Sequence, residues 1–153
     1  MNNDTRETIK NVFCDILERV AFLFGDPVEK CELEGGLQKY VCANIDFAGP
    51  ESGHVALAVP AELCHEIAAN VLGLEPDDEL VQEGADDALK ELLNVTCGHL
   101  LTNLLGTTMV FDLSSPKMET LDEMAWKQML DEPETVGVRV DESPVLLNFQ
   151  MRN

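Results

Sequence analysis

Positive charge is scarce in this sequence. Ten Lys and Arg residues stand against 29 Asp and Glu residues, which gives a formal net charge of −19 at pH 7. A chain this acidic repels phosphate backbones and anionic lipid headgroups, so we do not expect it to bind nucleic acid or a membrane surface. A solvated acidic surface accounts for such a balance, and a partner with a basic face is the alternative.

Long apolar runs and targeting signals are also lacking. No apolar run approaches the roughly 20 residues that a helix needs to span a bilayer. The first residues, MNNDTRE, show neither the basic start nor the apolar stretch of a signal peptide. The sequence therefore predicts a soluble, cytoplasmic protein.

Motifs for metals, disulfides and nucleotides are absent. The five cysteines have no CxxC spacing and the three histidines have no HxxxH spacing. This pattern predicts a reduced compartment and no metal bound by the chain. No glycine-rich phosphate loop and no Cys-x5-Arg loop occurs, so Cys97 is not expected to act as the nucleophile of a thiol phosphatase.

The length and periodicity of the chain indicate one domain, residues 1–153, with its own core. Apolar spacing predicts four helices, and Trp126 on the fourth is expected to pack in a core. Period-two alternation predicts two hairpins. The helices are expected at 4–25, 60–73, 77–105 and 120–130, the hairpins at 38–59 and 136–151, a shorter strand near Val28 to Leu33, and a further β-rich stretch at 107–113.

The order of these elements suggests a duplication. One helix ends in LFG at Gly25 and another ends in LLG at Gly106, and each is followed by about three strands. We therefore predict an α/β (α+β) fold with pseudo-twofold halves, in which a sheet packs against long helices. When the two glycines are superposed, Arg6, Lys10 and Phe13 fall opposite Asp87, Glu91 and Asn94.

A polar stripe interrupts the otherwise core-like segment DDALKELLNVTCGHLL, residues 86–101. A helix advances about 100° per residue, so the stripe residues fall within an arc of about 60°. The leucines of the segment cluster on the opposite side, which predicts that the stripe faces outward. The stripe consists of Asp87, Glu91, Asn94 and Gly98.

Two features favour a functional stripe over an ordinary solvated face, which would be the commoner explanation of Glu-x-x-Asn on a helix. Asn94 lies in mid-helix, where it is a mediocre helix former with no cap to make. Gly98 costs about 1 kcal/mol relative to alanine in a helix interior, which is easier to understand if another surface approaches there.

The spacing of these residues resembles a known signature. Asp87, Glu91 and Asn94, followed by Pro116, are similar to the Asp/Ser, Glu, Asn and distant Pro of the CheC/CheX/FliY chemotaxis phosphatases. The resemblance covers nearly the whole chain, and the single copy of the motif is similar to the CheX branch. It implies a CheC-like fold and hydrolysis of the aspartyl phosphate on a receiver-domain response regulator of CheY type.

The resemblance also implies roles for the stripe. Glu91 and Asn94 would be catalytic: Glu91 would pair with the active-site Lys of the receiver, and Asn94 would hold the attacking water. Asp87 and Gly98 would bind the partner, and Pro116 would shape a loop. The chain would bind no cofactor, since the receiver is expected to carry its own Mg²⁺.

Two points stay open at this stage. The same stripe would suit a non-catalytic module that binds a receiver domain or a flagellar switch component. Members of the family often pair through sheet edges, so the resemblance implies a homodimer.

Overall fold

The computed structural model describes residues 2–29, 33 and 39–152. Four helices and seven strands are present among these residues. The helices are α1 (Asn3–Ala21), α2 (Ala61–Leu72), α3 (Glu79–Leu105) and α4 (Glu123–Asp131). The strands are β1 (Gly25–Val28), β2 (Tyr40–Ala48), β3 (Ser52–Pro60), β4 (Asp112–Leu113), β5 (Lys117–Leu121), β6 (Thr135–Val140) and β7 (Ser143–Arg152).

The strands form one sheet in which every pairing is antiparallel. Its order is β1-β6-β7-β3-β2-β4, and β5 continues along β2 beyond β4. The first half contains β1, β2 and β3, and the second half contains β4 to β7, in which β4 and β5 count as one interrupted strand. The first strand of each half pairs with the second strand of the other half: β1 pairs with β6, and β4 and β5 pair with β2. The third strands, β3 and β7, pair at the centre. This exchange has the symmetry of a duplicated unit, so the predicted pseudo-twofold mixed α/β fold is confirmed.

The two faces of the sheet are covered differently. On one face α1, α2 and α3 pack over alternating strand residues such as Val55, Leu57 and Leu147, and together they form the main core. On the other face α4 covers a smaller cluster, in which Trp126 stacks on Tyr40 with ring centroids 4.0 Å apart. Trp126 is therefore a core residue, as predicted. No helix among the described residues is long and apolar enough to cross a bilayer.

The first helix differs from its prediction at both ends. Asn2 caps it, since its side chain accepts a hydrogen bond from the Thr5 N–H at 2.8 Å. It ends at Ala21, because Phe22 adopts a left-handed conformation with φ 56° and its N–H donates to the Glu18 carbonyl. Gly25 instead begins β1. The predicted strand near Val28 to Leu33 thus begins earlier, and residues 30–32 lie outside the described residues.

Superposing the two glycines was therefore wrong, since Gly25 lies in a strand whereas Gly106 directly follows α3. Superposing the last helical residues, Ala21 and Leu105, places Glu91 opposite Glu7 and Asn94 opposite Lys10.

The segment after α3 also differs from its prediction. Only Asp112 and Leu113 of the β-rich stretch 107–113 form a strand, and β5 was not predicted at all. Pro116 lies in the interruption between β4 and β5, where a missing N–H costs no ladder hydrogen bond. Ser114 bridges this gap: its N–H donates to the Asp46 carbonyl, and its hydroxyl accepts from the Asp46 N–H, both at 2.9 Å. The predicted hairpins are confirmed as β2–β3 and β6–β7.

Candidate functional site

The longest helix, α3, carries the stripe on a rigid support. Asp78 caps its start, because its carboxylate accepts a hydrogen bond from the Leu80 N–H at 2.9 Å. At the other end the Gly106 N–H donates to the Thr102 carbonyl at 3.1 Å, and Gly106 then leaves the helix with φ 95°. Between these caps α3 runs without interruption for 27 residues and packs against both α1 and α2.

The inner face of α3 is buried in the core. Its side chains are apolar apart from Thr96, whose hydroxyl donates to the Leu92 carbonyl at 2.7 Å and so buries no unpaired donor. This burial fixes the rotation of α3 about its own axis, and with it the direction of the stripe. The buried residues are Val81, Ala85, Leu89, Leu92, Leu93, Thr96, Cys97, Leu100 and Leu101.

The stripe faces away from this core. Asp87 and Glu91 are exposed, and Asn94 is partly exposed. Neighbours at i and i+3 or i+4 on a helix lie about 5–6 Å apart at their Cβ atoms, so the Glu91 carboxylate and the Asn94 amide project side by side. The side chains of Asp87, Glu91 and Asn94 form no hydrogen bond or ion pair with any of the described residues. Their polar groups are thus available to a second molecule.

Gly98 extends the stripe by one turn, and the fold does not require a glycine there. A Cβ atom added at Gly98 would meet nothing within 4 Å. Gly98 lies inside α3 and has a helical backbone conformation. The described glycines with a positive φ are Gly73 and Gly106. Alanine would stabilise this helical position by about 1 kcal/mol, so the reason for glycine lies outside the chain's own packing.

Thiol chemistry is not available next to the stripe. Cys97 has no exposed surface, and burial raises the pKa of its thiol to about 11. A thiol of such pKa is a poor nucleophile near neutral pH. Among the described residues, no group of three or more His, Cys, Asp and Glu side chains could hold a metal ion.

A second polar cluster lies on the sheet face that α4 partly covers. His54 bridges Asp46 and Asn44, with ring-nitrogen to oxygen distances of 2.8 and 2.9 Å, and Arg152 contacts Asp46 at 3.1 Å. The pKa of the Asp46 carboxyl is lowered, chiefly by the hydrogen bond from His54. These groups line the polar side of the sheet, on the face opposite α3, and they do not belong to the stripe.

A comparison with known families decides how this chain is classified. The family model described as "Chemotaxis phosphatase CheX" matches residues 41–136, more than half of the chain, and the match includes all of α3. The chain belongs to the CheX family. The family predicted from the stripe is thereby confirmed.

Solved structures of CheX proteins share the fold. A structure described as a CheX-CheY-BeF3-Mg²⁺ complex from Borrelia burgdorferi matches with a TM-score of 0.68 at 20% identity, covering 99% of this chain and 100% of that chain. CheX from Vibrio vulnificus matches with a TM-score of 0.72 at 15% identity, covering 97% of both chains. CheX from Desulfovibrio desulfuricans gives 0.70 at 13% identity, covering 97% of this chain and 99% of that chain. No curated relative matches significantly.

In this CheX family member, α3 brings all four predicted site residues onto one open face. Asp87, Glu91, Asn94 and Gly98 follow one another along a helix that is unbroken between them. At a rise of about 1.5 Å per residue they span about 17 Å. Pro116 does not join them, because it lies in the sheet-edge interruption between β4 and β5.

Proposed function

We propose that this chain hydrolyses the aspartyl phosphate of a CheY-like receiver domain by inserting the α3 stripe into the receiver's active site. One observation carries the proposal: a carboxylate at Glu91 and a carboxamide at Asn94 project together from a rigid, exposed helix face with no partner among the described residues. Such a pair has the chemistry to dock on one active site and to order a water there.

The reaction needs one contribution that a receiver lacks. An acyl phosphate is broken when water attacks phosphorus in line with the bond to the aspartyl oxygen, releasing inorganic phosphate and the free carboxylate. The receiver's own Mg²⁺ and Lys neutralise the phosphoryl charge. The Asn94 amide both donates and accepts hydrogen bonds, so it can hold that water near phosphorus without displacing a metal ligand.

The remaining stripe residues position the receiver. Glu91 lies one turn before Asn94, and its charge and length suit a hydrogen-bonded ion pair with the receiver's active-site Lys. Asp87 lies a further turn away and would extend the contact at the rim, where charge contributes more to encounter rate than to affinity. Gly98 would give the receiver's backbone room to approach α3.

Several observations support this proposal. The chain belongs to a family of chemotaxis phosphatases, and one structure with the same fold is described as a complex of CheX with CheY, BeF3 and Mg²⁺. Within that proposal the protein works in the cytoplasm, where receiver domains are phosphorylated. A homodimer through a sheet edge also belongs to it; β1 offers a short edge with Pro27, and β5 offers the longer one.

The test follows phosphate release from a phosphorylated CheY-type receiver with Mg²⁺ present. We expect Asn94→Ala to lose about 100-fold of the acceleration, the usual cost of removing one preorganised catalytic group, while still binding the receiver. Glu91→Ala should weaken both binding and rate. Asn103→Ala is the matched control, since Asn103 lies on the same helix on the side away from the stripe and is also exposed.

The outcomes separate the phosphatase from its rival. If the unaltered protein binds receivers but leaves their dephosphorylation rate unchanged, the chain is a receiver-binding module and the catalytic proposal is wrong. If Asn94→Ala and Asn103→Ala behave alike while the parent accelerates the reaction, another group positions the water.

A further inference from the structure

A stretch without charged residues follows the stripe. Residues 92–111 contain no Asp, Glu, Lys or Arg, although such residues make up 25% of the whole chain. Burial explains the neutral residues on the inner face of α3. It does not explain the exposed residues at the end of α3 and just after it, which include Thr102, Met109 and Val110. Depletion of charge is the compositional mark of an interface core.

The same segment forms a half-open recess beside the stripe, lined mostly by apolar side chains together with exposed polar atoms. The last turns of α3 and residues 106–113 surround a cavity of about 170 Å³. One of its walls is anchored in the core, because Phe111 packs edge-on against Phe47 with centroids 5.8 Å apart. The recess is lined by Gly98, Leu101, Thr102, Gly106, Met109, Phe111 and Leu113.

The size of the recess indicates what it accommodates. Pockets for small molecules usually measure about 300–1,000 Å³, so this one is too small for a cofactor or a drug-sized ligand. It has room for one aliphatic or aromatic side chain. Buried anchor residues in such pockets supply much of the binding energy at protein interfaces.

The recess and the stripe form a continuous surface. Gly98 belongs to both, since it is the last stripe residue and also lines the recess. With a rise of about 1.5 Å per residue, Gly98 lies about 6 Å and Thr102 about 12 Å along the helix axis from Asn94. A receiver whose phosphoaspartate is held at Asn94 therefore also covers the recess.

We propose that the recess receives one apolar side chain of the receiver domain, located on the order of 10 Å from its phosphoaspartate, as the helical rise between Asn94 and the recess requires. This inference rests on the proposed function of the stripe and adds a second contact of opposite character to it. The stripe is acidic toward the start of α3, at Asp87 and Glu91, and uncharged toward its end, at Asn94 and Gly98. Because only one end of the stripe carries the recess, the recess fixes which way round the receiver docks, and the carboxylates then fix its register.

Two glutamates placed one residue apart test this contact. Thr102→Glu puts a charge at the recess, whereas Asn103→Glu puts the same charge on the other side of the helix, so the two variants have equal net charge. The probe is a CheY-type receiver domain activated with beryllofluoride and Mg²⁺, and its dissociation constant is measured by calorimetry. We expect Thr102→Glu to bind at least about tenfold more weakly, as for a disrupted anchor pocket, and Asn103→Glu to bind like the parent.

Kinetics with phosphorylated receiver separate this inference from the proposed function. Thr102→Glu should raise KM with kcat nearly unchanged, since the recess makes no contact with the reacting atoms. Equal affinities of Thr102→Glu and Asn103→Glu would overturn the recess and leave the phosphatase standing. The parent could also bind the receiver without accelerating its dephosphorylation, while Thr102→Glu still binds more weakly than Asn103→Glu. That result would overturn the phosphatase proposal and support the recess.

A second pair of variants protects the test against misfolding. Met109→Asp changes a recess residue outside the helices, and Met124→Asp changes an exposed methionine on α4, at the other face of the sheet. Weaker binding by Met109→Asp alone supports the recess. Equal binding by both variants overturns it.

Discussion

The helices α1 and α3, which begin the two halves of the fold, differ in whether their polar side chains bind the rest of the chain. When the helix ends are aligned, the α1 residue that corresponds to Asn94 is Lys10, which is only 8% exposed, and Phe13 one turn further along is 1% exposed. The Lys10 ammonium donates to the Val28 carbonyl at 3.2 Å, and the Arg6 guanidinium donates to the Pro133 carbonyl at 2.7 Å. On α3 the stripe points away from the core and contacts no described residue through a side-chain polar group.

Within one pseudo-twofold fold, this difference distinguishes a helix whose polar groups are bound inside the chain from a helix whose polar groups are not. On α1, Lys10 at the position of Asn94 and the nearby Arg6 bind carbonyl groups of β1 and β6, so their polar groups are used within the chain. Short acidic and amide groups at the α3 positions reach nothing among the described residues. A polar group that the fold leaves unused on a rigid helix is the better candidate for a site, because preorganised groups need no rearrangement when the partner arrives.

The largest expected effect concerns stability and contrasts the two helices directly. Phe13→Ala removes a fully buried ring from α1 and should lower the free energy of unfolding by about 3–5 kcal/mol. Asn94→Ala on α3 should change it by no more than about 0.5 kcal/mol, as for other surface positions. Urea denaturation measures both. If Asn94→Ala proved as destabilising as a core truncation, the amide would have a structural role and the comparison would fail.

The next effect concerns receiver binding by matched carboxylates. Glu91 and Glu7 superpose when the helix ends are aligned, and both are exposed. Glu91→Gln should weaken binding of an activated receiver about tenfold, because a charge-assisted bond to the receiver's Lys is lost. Glu7→Gln alters the net charge equally and should leave binding unchanged. Titration of both variants at two salt concentrations gives the answer, and similar losses would show that only the overall charge matters.

A smaller effect is expected at Lys10, the lysine that joins α1 to β1. Lys10→Met keeps the length of the side chain and removes the donor to the Val28 carbonyl, together with a 3.7 Å ion pair to Glu7. We expect a loss of about 1 kcal/mol in the free energy of unfolding, the typical contribution of one hydrogen bond. Lys127→Met, at an exposed lysine on α4, is the control. Equal stability of the two variants would show that Lys10 does not hold β1 against α1.

The sequence was sufficient to predict the outward direction of the stripe, because helical periodicity alone determines which residues share a face. It was insufficient where the chain breaks local rules. The end of α1 was placed too late, since Phe22 takes the left-handed conformation that glycine usually supplies. β5 was missed because Lys117, Glu119 and Thr120 are exposed at a sheet edge and the strand shows little apolar alternation.

The recess beside Gly98 was beyond local pattern reading for a different reason. It exists only because residues 106–113 fold back along α3 and Leu113 pairs with Phe47 of β2, far away in the sequence. A signal was nevertheless present in the sequence. The uncharged run from 92 to 111 is longer than the inner face of one helix requires, and its excess marks the recess and its surroundings.

The smallest expected effect compares the inner and outer faces of α3 itself. Cys97 lies one turn from Asn94, but its thiol is buried and has a pKa of about 11. At pH 8 only about 0.1% of such a thiol is ionised, so it offers almost no nucleophile. Cys97→Ala should therefore keep the rate of receiver dephosphorylation within about twofold of the parent, while Asn94→Ala loses most of it. A rate that collapses in a folded Cys97→Ala protein, or that rises with pH as a thiol ionises, would move the chemistry from the stripe to the sulfur. The water-positioning role of Asn94 depends on the opposite result, because an ordered water attacks phosphorus without any covalent intermediate on this chain.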